Sequence, residues 1–263
     1  MKKTQWIIIF IGIAIMPLLT ACSTTKVVVP LTTEDITKEN ISDVSTILRA
    51  KQLSNIDVFE NWVKGFHENS EDNLGSAGFS DADCRMTVML LTGDLINSNS
   101  TEQEYKGTYL MFDLDAIEND ETFQILRNKK DLFTTLFGEI PIGDRTFKEA
   151  FPNNWDKHGI KLNCEKCTIV SIVFKTYEGD AAFVGHTGVL IDCRNDSTRE
   201  SDYLFVEKIA FGAPFQVTKL NKPEELIEVF SKRPDYFSEE GEQMPLVFLN
   251  NEYLGELKSH EKE

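Results

Sequence analysis

The chain has 263 residues, with 43 acidic against 27 basic side chains and a formal net charge of −16. Such an excess of carboxylates argues against a nucleic-acid ligand and against a basic face docked on anionic lipid. The acidic residues are spread along the chain, as expected of a solvated surface, and the length suits one well-cored domain.

At the N-terminus, Lys2 and Lys3 precede an apolar run from Trp6 to Leu19, which Thr20, Ala21 and Cys22 close. A basic start, an apolar stretch and small residues before a cut are the parts of a secretory signal. The run is too short for a spanning helix, which needs about 20 apolar residues. Leu19-Thr20-Ala21-Cys22 resembles the lipobox of bacterial lipoproteins. That resemblance implies cleavage before Cys22, a diacylglycerol on its thiol and attachment to the extracytoplasmic face of the cell membrane. Two acyl chains hold stably where one is marginal. An uncleaved helix and a plain signal peptide are the alternatives. Residues 1–21 are thus read as signal peptide, 22–33 as a lipid-anchored tether and 34–263 as a single domain. Loss of Lys2 and Lys3 with the signal leaves 25 basic against 43 acidic residues, a balance of −18.

The domain opens with helices. Ile36 to Glu39 is read as a helical turn, and Asp43 to Leu53 as a helix with Val44, Ile47 and Leu48 on one face. Asp57 to His67 places Phe59, Trp62, Val63 and Phe66 at helical spacing, and a polar loop over 68–78 ends it. Ser80 to Ile96 is apolar around most of its circumference and is expected to be buried. Tyr109 to Leu114 reads as a strand, followed by short helices at Phe123–Leu126, Leu132–Phe137 and Thr146–Phe151.

After Pro152, β-branched and aromatic residues take over. Thr168–Tyr177, Ala182–Asp192, Tyr203–Phe211 and Phe215–Leu220 read as a four-stranded meander with a tight turn at Gly179-Asp180. A helix follows from Pro223 to Phe230, and Leu246–Leu249 is a last strand. Helices first and an antiparallel sheet second predict an α+β domain, with a buried helix packed on the sheet.

The chemistry-bearing pattern pairs Asp83-Cys84-Arg85, opening that buried helix, with Gly185-His186-Thr187-Gly188 on a strand. A thiol at a helix N-terminus faces unpaired N–H groups and the positive end of the dipole, which favour the thiolate. The same N–H groups serve an oxyanion, and His186 supplies a base. If the strands around His186 and Ile209 pair antiparallel, residues whose numbers sum to roughly 395 lie opposite each other, so Glu207 faces Gly188 on His186's side of the sheet. Glu207 is then placed to orient the imidazole, with Asp192 in reserve and Asp202 and Asn195 behind it. The blander reading makes Cys84 a small core residue and His186 a hydrogen-bonded core histidine.

A helix-borne Asp-Cys, then a strand with His-Thr-Gly-Val-Leu-Ile, then a strand with a polar residue resembles the papain-like cysteine hydrolases of the NlpC type. The resemblance implies cleavage of peptide or amide bonds, with cell-wall material among the substrates, and makes Cys84 the nucleophile and His186 the base. Arg85 and Met86 stand where that pattern has small residues, and Gly78 where papain relatives keep a glutamine. Asp83-Cys84-Arg85, Phe112-Asp113-Leu114-Asp115, Phe183-Val184-Gly185-His186 and Phe205-Val206-Glu207-Lys208 also resemble the domain-of-unknown-function 4300 family, which implies a fold and no activity. The leading expectation is a membrane-anchored cysteine hydrolase with no cofactor and no metal. The competing one is a surface module of the same fold that binds a peptide, glycan or protein without catalysis.

Cys164, Cys167 and Cys193 remain. Strand pairing through the Gly179-Asp180 turn sets Cys193 roughly opposite Lys166, so a disulfide from Cys193 to Cys167 or Cys164 is expected, with a metal site completed by His158 as a minor alternative. Asp113 and Asp115 are read as helix caps rather than calcium ligands. Trp155 is read as a core residue under a loop.

Overall fold

Seven strands form the main path of an antiparallel sheet, and the register of its centre decides where the site residues point. In a computed structural model the described residues are 30–69, 81–101, 104–196, 201–233, 236 and 243–258. The signal segment, Cys22 and most of the tether lie outside them, as does most of the 68–78 loop. In chain order the elements are β1 (Thr32–Ile36), α1 (Ile41–Ala50), α2 (Ile56–Asn69), α3 (Cys84–Thr92), β2 (Ile96–Asn97), α4 (Met111–Asn119), α5 (Gln124–Arg127), α6 (Lys130–Phe137), β3 (Ile140–Pro141), α7 (Phe147–His158), β4 (Lys161–Leu162), β5 (Cys167–Lys175), β6 (Ala181–Asp192), β7 (Tyr203–Lys208), β8 (Phe215–Leu220), α8 (Glu225–Ser231), β9 (Leu246–Leu249) and β10 (Glu252–Glu256). The sheet order is β1-β8-β7-β6-β5-β9-β10, with β3 also pairing with β6, and β2 pairs with β4 separately. The domain is α+β, as the segregation of helical and strand periodicities predicts.

Each face of the sheet is covered by a different apolar cluster. Ile169, Val173, Val184, Val189, Val206 and Phe248 pack against the helices that precede the sheet in sequence, α3 and α7 among them. Val170, Ile172, Leu190, Phe205 and Val247 face the other way, onto Leu226, Val229 and Phe230 of α8. Every residue of α3 except Arg85 is buried, and each large apolar side chain removed from water there contributes roughly 1.5–3 kcal/mol. Asp83 caps the helix, its Oδ1 accepting the Met86 N–H at 2.8 Å, so the chain enters α3 directly at Cys84.

Several expectations change. Tyr109–Leu114 is not a strand: α4 runs Met111–Asn119, with Asp113, Ala116 and Ile117 buried. The helical period was hidden because one of its core-facing positions is a carboxylate. Asp113 stands inside the first turn of α4 and pairs with Arg85 rather than capping the helix. Pro152 does not end its helix. A capping box of Thr146 and Glu149 starts α7, left-handed Gly159 (φ 59°) ends it, and burial of Phe151, Trp155 and His158 offsets the one missing backbone donor. Ile36 belongs to an edge strand, β1, paired with β8 from Thr32↔Lys219 to Ile36↔Phe215. Trp155 is buried against Phe151, ring centroids 6.0 Å apart.

The disulfide links Cys164 to Cys167, and Cys193 is a buried thiol. The β5–β6 ladder begins at Cys167↔Ile191, which leaves Cys193 beyond its end while Cys164 folds back beside Cys167. This bond takes two of the three sulfurs from the metal alternative, and among the described residues no His/Cys/Asp/Glu group is arranged to hold a metal.

Candidate active site

β6 and β7 pair with Val189 opposite Val206 and Leu190 opposite Phe205, the register in which Glu207 follows on beside Gly188. An irregularity in the β5–β6 ladder separates the pairs Ile172↔His186 and Val173↔Val184, with Gly185 as the additional residue of β6. Val184 therefore faces the helical layer and His186 faces α8, in the same direction as its partner Ile172. A side chain on Gly185 or Gly188 would lie 2.4 Å from the rings of Phe174 or Phe205 respectively, which is why both flanks of His186 are glycine-lined.

On the α8 face, His186 Nε2 and Glu207 Oε2 are 2.5 Å apart, with His186 2 % and Glu207 0 % exposed. Arg233, just past the end of α8, donates to Glu207 through Nη1 at 2.9 Å and Nη2 at 2.5 Å. Tyr236 accepts from the same guanidinium at 3.2 Å and lies against the imidazole, ring centroids 5.6 Å apart. Burial pushes the Glu207 carboxyl up, but the hydrogen bonds from His186 and Arg233 outweigh it, so the net direction is down and the carboxylate is the stable form. Arg233 was not foreseen: in the sequence it reads as a basic residue after a helix, where the dipole alone explains it.

Cys84 sits at the head of α3, in the helical layer, and is 4 % exposed. The Thr187 backbone N–H, one residue along β6 from His186, favours the ionised sulfur. Among the described residues no hydrogen bond joins Cys84 to His186, whose Nδ1 makes no protein hydrogen bond. Burial first, and then Asp83, push the thiol up to about 12; Arg85 and the Thr187 N–H oppose the rise. The helix-head advantage is therefore more than cancelled, and the resting sulfur is protonated at neutral pH.

Beside the thiol, Arg85 donates to both oxygens of Asp113, at 2.8 and 3.0 Å, and to the Val184 carbonyl at 3.2 Å. Asp83 Oδ2 is 2.9 Å from Arg85 Nη2, an ion pair whose angle makes no hydrogen bond. Burial and the adjacent Asp83 push the Asp113 carboxyl well up. Lys208, buried at the β7–β8 turn, donates to Asp81 Oδ2 at 2.8 Å and to the Ala210 carbonyl at 3.0 Å, which ties the residues before α3 to the sheet. Asp192 pairs with Arg194 at 2.8 Å and does not serve His186.

These features define an α+β domain with a buried Cys/His/Glu constellation lying across a sheet. The chain belongs to the family described as domain of unknown function (DUF4300), whose model matches residues 39–254. No curated protein and no solved structure matches it.

Proposed function

We propose that the protein is an extracytoplasmic lipoprotein, anchored through Cys22, whose domain is a papain-like hydrolase of peptide or amide bonds. The observation that carries this reading is the 2.5 Å contact between His186 Nε2 and Glu207, itself braced by Arg233, on the strand against which α3 and its leading Cys84 pack. An imidazole whose Nε2 is fixed by an ionised carboxylate presents Nδ1 as the proton acceptor. In the reaction, the Cys84 proton passes to His186 Nδ1 and the sulfur attacks the carbonyl carbon. The Cys84 backbone N–H helps hold the oxyanion, and His186 returns the proton to the leaving amine. With the sulfur in the helical layer and the ring on the α8 side of β6, the first step requires a rearrangement that brings the two together. Tyr109, Met111 and Phe112, which precede Asp113 in the chain, are exposed and offer a substrate apolar contact.

A non-catalytic binding module is the second reading, favoured by the burial of Cys84 and its raised thiol. Native-state alkylation separates the two. A working nucleophile makes Cys84 react with iodoacetamide much faster than Cys193, and Cys84→Ala abolishes cleavage of a peptide and cell-wall amide panel without lowering the melting temperature. Equal, slow labelling of both thiols sinks the hydrolase and leaves the binding module. Loss of detergent-phase partitioning on Cys22→Ala tests the anchor separately.

A further inference from the structure

The Cys164–Cys167 disulfide spans only two intervening residues, its Cα atoms 5.5 Å apart, in the connection from β4 into the first residue of β5. The stabilisation a cross-link gives the folded chain grows with the loop it closes, so a ring this short restrains the unfolded state least. Nor does it join separate elements, because the β6 ladder already holds β5 from Cys167 onward. As a staple the bond adds little.

Its accessibility is another matter. Half-buried Cys164 lines an open cleft of about 590 Å³ together with Lys51, Gln52, Leu95, Glu165 and Lys166. Cys167 is 3 % exposed and packs in the core. One sulfur thus faces incoming molecules and the other is shielded behind it. Gln52, in a left-handed conformation at φ 63°, shapes the opposite wall, and the Lys51 carbonyl oxygen lies 3.9 Å from Cys164 Sγ. Lys51 and Lys166 line the same cleft with Glu165, so two basic residues stand against one acidic one around Cys164.

We propose that Cys164-Glu165-Lys166-Cys167 is a thiol–disulfide exchange site for a low-molecular-weight thiol of peptide size. The thiolate attacks Cys164 Sγ, the Cys164–Cys167 bond breaks, and a mixed disulfide forms on Cys164 while Cys167 leaves as a thiolate and takes a proton. A second thiolate attacks the donor's sulfur in that mixed disulfide, which releases the oxidised donor and a Cys164 thiolate that is protonated in turn. Two electrons pass from two thiols to one disulfide, and the reverse sequence reoxidises the pair. Neither Cys84 nor His186 takes part, so this site stands or falls apart from the hydrolase.

Glutathione is the probe, applied to the folded full chain, with acid quenching and peptide mass analysis. Reduction in native buffer is expected within about tenfold of the rate in denaturant, since no unfolding is needed to reach Cys164. In partly reduced wild type, Cys164 is alkylated before Cys167. With oxidised glutathione as the disulfide, Cys167→Ser accumulates one glutathione on Cys164 and releases one reduced glutathione, Cys164→Ser accumulates none on Cys167, and Cys84→Ala leaves the exchange unchanged. Native reduction slower than the denatured rate by about a thousandfold or more means that the bond opens only with the fold, and overturns the proposal. So does first labelling at Cys167, a readout on the wild type that stands even if a variant fails to fold.

Discussion

The two sides of the sheet hold buried polar clusters of nearly equal depth, one matched in charge and one not. Toward α8, one carboxylate, Glu207, is met by a bidentate guanidinium and an imidazole, and it stays ionised in the interior. Toward the helical layer, one guanidinium, Arg85, is shared between Asp83 and Asp113, and burial, with Asp83 adding to it, raises both the Asp113 carboxyl and the Cys84 thiol. Burial is common to both, so charge matching decides which group is ionised. The base of the candidate triad is held by the matched cluster and the nucleophile by the mismatched one.

That contrast can be broken at its strongest point. Glu207→Ala strands Arg233 and His186 in the interior and is expected to cost about 3–5 kcal/mol in urea denaturation; a loss below about 1 kcal/mol would show that the matched cluster is not holding this face. The mismatched side shows at high pH. The folded thiol keeps its proton up to about 12 while the unfolded one ionises near 9, so the folded state binds more protons in that window. Stability is whole below pH 9 and falls through the window by about 1.4 kcal/mol per pH unit. Cys84→Ala should lack this decline, and parallel curves for the two proteins would refute the shielded thiol. Gly188→Ala sets a Cβ 2.4 Å from Phe205 Cζ and 2.8 Å from the Val206 carbonyl oxygen, and overpacking of this kind costs about 1–3 kcal/mol. The smallest effect belongs to Asp113→Asn. Its amide oxygen keeps one acceptor for Arg85 and removes one of the two carboxylates that share it, so stability at pH 7 should shift by about 1 kcal/mol or less. The raised carboxyl contributes stability below its ordinary value of 3.8 that is lost as pH rises. Relative to Asp113→Asn, wild type should therefore weaken as pH rises from about 4, and a gain would reverse the assignment.

Much of the sheet was legible because strand alternation and one loop fix a register. The sum of 395 read for the strands around His186 is the sum observed for Val189 and Val206, and with it comes the meeting of His186 and Glu207. What was not legible rests on buried charge. A hydrophobicity pattern takes Asp113 for a solvent position, so α4 looked like a strand; it takes Arg233 for a surface cation, so Glu207's main partner went unseen. Thr32–Ile36 and Glu252–Glu256 form edge strands, exposed along much of their length, and leave only a weak alternation signal. The cysteines failed for a local reason: arithmetic across a hairpin reaches Cys193, but a bond between residues three apart depends on a turn that no ladder dictates.

The additional residue at Gly185 acts as a switch of orientation written into the backbone. Everything before it on β6 presents its odd or even members to one layer, and everything after presents the opposite set. Deleting that single glycine would turn Ala182 and Val184 toward α8 or swing His186 away from Glu207, so insertion and deletion, far more than substitution, set the limit on how this strand can diverge among relatives.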